Sequence, residues 1–153
     1  MAAAQDALGD DGLVLCRMMR SPVQRLLTEW MGPVGFSLAL ADHEPGLALL
    51  IDTLACRDEE AFALAARSPA EAVWSAENLT GDMVGPAVFR RWHAPYYGRA
   101  ARLLGNAGKL YGVHMDGRLA CLRGAIGECA LDFVEGFTPP PMGTLSIAEA
   151  RAA

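Results

Sequence analysis

Short apolar runs alternate along the chain with longer segments of helical periodicity, the pattern of a fold in which strands and helices take turns. GLVLC at 12–16, AVWSA at 72–76, KLYGV at 109–113 and LDFVE at 131–135 read as strands, each bounded by turn residues. SPVQRLLTEWMG reads as a helix with both ends marked: Ser21 as N-cap, Pro22 at the first helical position, Gln24 completing a capping box and Gly32 at the exit. From Asp42 to Ser68 the residues Leu47, Leu50, Ile51, Leu54, Phe62 and Leu64 fall at helical spacings around the charged cluster Arg57 to Glu60, which predicts two consecutive helices. Gly85-Pro86 opens a helix carrying Val88, Phe89 and Trp92. Pro95 starts a further turn, and Gly105-Asn106 to Gly108 stop it. One of Tyr96 and Tyr97 is expected to face the sheet and the other solvent or a loop, helix packing being the plain reading of both. RLACLRGAIGECA reads as a short helix, Thr138 to Pro141 as a stiff loop, and Ser146 with Glu149 as the capping box of a last helix.

Strands that each lead into a helix imply a parallel sheet. The expected fold class is therefore α/β, a partial TIM-type (β/α)8 barrel with about four parallel strands and flanking helices, residues 1–153 forming one partial domain. Polar residues gather just after the strands, at Glu77-Asn78, His114 to Asp116 and Glu135, whereas loops that follow helices are plain turns. In such folds the carboxyl ends of the strands share one crevice. Groups at three of these ends are therefore expected to converge there.

Composition narrows the picture. At 153 residues and 52% hydrophobic, the chain has enough apolar residues for one core and lacks the profile of a disordered protein. A net charge of −5 with scattered arginines gives no electrostatic footprint for nucleic acid. No apolar run reaches the length of a membrane span, and the acidic start MAAAQDALGDDG is unlike a secretory signal, so a soluble, cytoplasmic protein is expected. Cys16, Cys56, Cys121 and Cys129 form no CxxC pair and read as reduced thiols.

ENLTGDMVGP at 77–86, APYY at 94–97, GKLYGVHMDG at 108–117 and GFTPPP at 136–141 together resemble the C-terminal part of the uroporphyrinogen decarboxylase superfamily. The resemblance is good over 70–151 and looser over SPVQRLLTEWMG. It implies a TIM-type barrel of which this chain holds about four of the eight strand–helix units. It also implies one of two chemistries, cofactor-free decarboxylation of a tetrapyrrole or metal-assisted methyl transfer with a corrinoid, or corrinoid protein, as donor. His114 and Asp116 match the His-x-Cys motif of the thiol methyltransferases with aspartate in the cysteine position, and aspartate is itself an acceptable zinc ligand. The arginine-rich motif of the decarboxylases is not present.

The site that follows from this resemblance has Asp116 and Glu77 as catalytic groups, Asn78 and Tyr97 as substrate contacts, and His114, Asp116 and Glu135 as ligands of a zinc ion. Each has a plain alternative. Asp116-Gly117 is a common turn pair and Asp116 a helix cap, His114 a hydrogen-bonded buried histidine, and Glu77-Asn78 a polar turn. The corresponding alternative for the whole chain is a non-catalytic half-barrel that serves as an assembly or interaction module. An open half-barrel exposes strand edges, so oligomerisation is expected with it.

Overall fold

A computed structural model describes residues 1–153. The architecture is α/β, a partial TIM-type barrel. One sheet of four strands, all parallel, runs in the order β1 (Leu15–Met18), β2 (Ala72–Leu79), β3 (Leu110–Met115) and β4 (Phe133–Glu135). Helix α1 (Ala2–Leu8) precedes the sheet and buries nothing. Between β1 and β2 lie α2 (Pro22–Arg25), which widens over Leu26–Trp30, then α3 (Gly32–Ala41) and α4 (Pro45–Arg67). Between β2 and β3 lie α5 (Gly81–Val88), a second wide segment Phe89–His93, and α6 (Ala94–Gly105). Helix α7 (Arg123–Gly127) joins β3 to β4, and α8 (Ile147–Arg151) closes the chain behind its capping box of Ser146 and Glu149.

The register fixes which side chains share a face. Leu15 pairs with Ala72 and Leu110, and Arg17 with Trp74, Gly112 and Phe133, in one set of rows. Cys16, Val73 and Tyr111 alternate with them. Cys16, Met18, Val73, Tyr111, Val113 and Met115 point to the helices and form one core with Leu26, Phe36, Ile51, Phe62, Phe89, Tyr97, Leu104 and Leu122. The other face carries no helix layer. Leu15 there is 43% exposed and Leu110 49%.

Four expectations are corrected. The first strand lies at Leu15–Met18, two to three residues later than GLVLC. Ser21 precedes α2 but makes no capping bond, because its hydroxyl and amide are both taken by Glu77, and Gln24 likewise reaches β2. Asp42 to Ser68 is not two helices: α4 is unbroken, since Asp58, in the middle of the charged cluster, lies on its buried stripe between Ala55 and Phe62. The Arg25 guanidinium (2.5 Å) and the Tyr96 hydroxyl (2.9 Å) both donate to Asp58 Oδ2, so the carboxylate is paired inside instead of ending the helix. Leu50 and Leu64, placed on that stripe by spacing, are exposed. Tyr96 and Tyr97 are both buried, because the wide turn before α6 rotates both toward the core. The helix that Gly85-Pro86 opens does begin there, Gly85 holding a non-helical φ of 68°.

No single helix is long and apolar enough to cross a membrane.

Candidate functional site at the strand ends

On the face without helices, His114 near the end of β3 and Glu135 at the end of β4 are register partners on adjacent parallel strands. Their side chains meet, His114 Nδ1 to Glu135 Oε2 at 2.5 Å. Two glycines permit the approach. A Cβ on Gly112 would overlap the Phe133 ring, so β4 lies close on β3 only because that position is bare. A Cβ on Gly136, whose φ is +75°, would overlap the His114 ring itself. Trp74 stands beside the histidine with ring centroids 6.1 Å apart, giving the pair an aromatic wall. Arg17 lies in the Trp74 row at the β1 edge, exposed and in none of the ion pairs.

Asp116 is half-buried just past β3, its amide donating to the Leu79 carbonyl at 3.2 Å. Its carboxylate enters no ion pair, and it caps no helix. The loop behind it is pinned by threonines instead: Thr138 Oγ1 accepts from the Gly117 amide, Thr80 Oγ1 from Arg118 and Thr144 Oγ1 from Ala120. Asn78 is exposed, with a φ of 52° at the irregularity where β2 slips against β3.

Glu77 and Tyr97 are placed elsewhere. Glu77 is fully buried on the helix-facing side, where its Oε1 accepts from the Ser21 amide at 2.6 Å and its Oε2 from the Ser21 hydroxyl at 2.7 Å. Gln24 Nε2 donates to the Glu77 carbonyl at 2.9 Å, so the start of α2 is stapled to β2 at both residues. Burial pushes the Glu77 carboxyl up to about 7, against the bonds from Ser21 and the nearby Arg20 and Arg25 charges, which pull it down. Tyr97 is buried on the same side, with its phenol raised well above the usual range, by burial first and the Glu77 charge second. Neither side chain has the solvent access that a substrate contact needs. The convergence expected of the polar strand ends thus holds for His114 and Glu135 and fails for Glu77, because β2 turns its last acidic residue inward, while Tyr97, on α6, packs in the core.

Nor is the expected zinc set of His114, Asp116 and Glu135 assembled. No three histidine, cysteine, aspartate or glutamate side chains come together to hold a metal ion, and the His114–Glu135 pair is two donors bonded to one another. All four cysteines are free thiols.

The sequence reading passed over Ser21 and Gln24 as partners of Glu77, Asp58 as a buried acid, Trp74 as the wall beside His114, and His93. That last imidazole is buried, stacked on Phe89 with rings 5.6 Å apart and 6° from parallel, and burial drops it to about 3, so it stays neutral. Alternation along β1 and β2 was the available signal for Arg17 and Trp74, which fall between residues that read as core. Compared with protein-family models, with curated proteins and with solved structures, the chain matches none.

Proposed function

We propose that the chain supplies half of the mouth of a (β/α)8 enzyme of the uroporphyrinogen decarboxylase type, in which His114, oriented by Glu135, moves the proton at the reacting centre. What carries this is the 2.5 Å contact between His114 Nδ1 and Glu135 Oε2 at the carboxyl ends of two parallel strands, on the face no helix covers. A carboxylate that accepts from Nδ1 selects the tautomer and leaves Nε2 as the working atom, and imidazole exchanges protons near neutral pH. Trp74 offers a flat apolar surface suited to a ring of a tetrapyrrole.

When an acetate side chain loses carbon dioxide, the electrons of the broken C–C bond stay on the methylene carbon, which must then take a proton. A histidine–carboxylate pair is built to deliver one. Zinc-assisted methyl transfer with a corrinoid donor asks for a further ligand beside the pair, and the donor set here does not provide it. The chemistry of the residues present therefore favours decarboxylation. Asp116 and Asn78, at the same strand ends, are the groups left to contact substrate.

The alternative, a non-catalytic half-barrel kept as an assembly module, draws on the burial of Glu77 at the end of β2 and of Tyr97 on α6, which turns two candidate site groups into framework. Incubation of the chain with uroporphyrinogen, with products separated by their number of carboxylates, distinguishes the two. Carboxylate loss is expected, falling on the order of 100-fold in His114→Ala and less in Glu135→Gln. Turnover at the unmodified rate in His114→Ala contradicts the assignment, and no turnover in any protein favours the module.

A further inference from the structure

We infer that a second copy of this chain closes the sheet, each copy's β1 pairing in parallel with the other's β4, so that Arg17 of one copy stands beside Glu135 of the other at the barrel rim. The inference rests on the catalytic reading above only in assigning Arg17 a place at that site; the closure itself rests on separate observations.

Parallel strands are ordinarily covered on both faces. Here one face shows Leu15 and Leu110 largely open, with Trp74 and Phe133 half-buried, and both β1 and β4 are edges. Free edges of this kind are templates for pairing. Sequential order with all core contacts on one side is the arrangement of half of an eight-stranded barrel. A two-fold axis makes the two junctions identical, so the assembly closes on itself and leaves no edge.

Charge selects a copy of the same chain as the occupant. The β1 edge carries Arg17, which is in no ion pair, Arg20 beyond it being paired with Glu29, while the β4 edge carries Asp132, which accepts from the Tyr111 amide, and Glu135, which is exposed beside His114. Each edge therefore attracts the opposite edge of another copy and repels its own kind. Geometry agrees with this. In an eight-stranded barrel of shear 8, the row of paired residues slips by about four positions over half a turn. The Arg17–Trp74–Gly112–Phe133 row then continues to Leu13 of the second copy, whose exposed side chain covers Phe133. Leu15 of that copy faces Glu135, and Arg17 is its diagonal neighbour on the same face, within reach of a long side chain. A guanidinium is thereby brought to the His114–Glu135 pair from outside the chain, where it can hold a substrate carboxylate.

Sedimentation velocity of the full chain across the micromolar range tests this, with circular dichroism to confirm that each variant is folded. A species of twice the chain mass is expected. Arg17→Glu and Glu135→Arg should each weaken it about tenfold or more, since either change places like charges at both junctions. Equimolar mixing of the two variants, or both changes in one chain, should restore it, because each junction regains opposite charges. A chain that stays monomeric, an open series of oligomers growing with concentration, or a dimer indifferent to both charge reversals would overturn the closure. None of these outcomes bears on His114→Ala, which is read by turnover, so the two proposals fail separately.

Discussion

The two faces of the sheet divide the work between them. On the helix side every strand residue from Val73 to Met115 that points inward is buried, polar groups included: Ser75 bonds the Tyr111 hydroxyl at 2.9 Å and Glu77 is held by Ser21. On the other side the residues between them, Arg17, Trp74, His114 and Glu135, are exposed or half-buried, and the one strong polar contact joins two neighbouring strand ends. Two glutamates at the ends of β2 and β4 therefore have opposite fates. Glu77 fastens a helix to the sheet; Glu135 orients a histidine toward open space. A carboxylate at a strand end acquires its role from the face it lies on.

The sharpest way to break the contrast is to delete mass on each side. Tyr111→Ala, which empties a fully buried site touching Phe62, should cost about 3–5 kcal/mol, whereas Trp74→Ala on the open face should cost about 1 kcal/mol or less, both read by urea unfolding at a concentration where the chain is monomeric. Similar losses at that concentration would mean that the open face is packed within the single chain.

Acidity gives the next effect. With its folded value raised from 4.5 to about 7, Glu77 contributes stability that is complete below pH 4.5 and lost as pH rises through 7. That rise corresponds to on the order of 3 kcal/mol. Glu77→Gln keeps the shape and removes this titration, so between pH 5 and pH 8 its unfolding midpoint should rise relative to that of the unmodified chain, the opposite contribution of the buried neutral His93 being common to both. Parallel curves would mean that the carboxylate is solvated.

Smaller still is Gly112→Ala. Its Cβ pushes the Phe133 ring, and β4 with it, off β3, for a loss of about 1–3 kcal/mol. Hydrogen exchange should show the β3–β4 amides opening first. Least of all, His114→Ala and Glu135→Gln should each change stability by no more than about 0.5 kcal/mol, because neither side chain supports the core.

Much of this was legible in the chain. The strand–helix alternation led to a parallel four-stranded sheet because each apolar run was short and each intervening segment had helical period. The Ser146–Glu149 box formed as spaced, since nothing competes for its groups. At Ser21 the same motif did not form, because a buried carboxylate 56 residues away binds the serine more strongly than a helix end could. No local rule sees such a partner. Asp58 misled for a related reason: a charge amid charges looks like solvent until Arg25 and Tyr96 are known to meet it. Within the site, period-two alternation places His114 among the open-face residues and Glu77 on the helix side with Val73 and Ser75; the inward turn of Glu77 is lost when the second strand is ended at Ala76 instead of Leu79.

The division between framework and chemistry is tested most directly by measuring turnover and urea midpoint together on Glu135→Gln and Glu77→Gln. Glu135→Gln should lose turnover by about tenfold or more with its midpoint unchanged, and Glu77→Gln should change the midpoint relative to the unmodified chain by an amount that varies with pH while keeping turnover per folded molecule. The reverse pattern, Glu77 needed for turnover and Glu135 for stability, would contradict the assignment of the two faces.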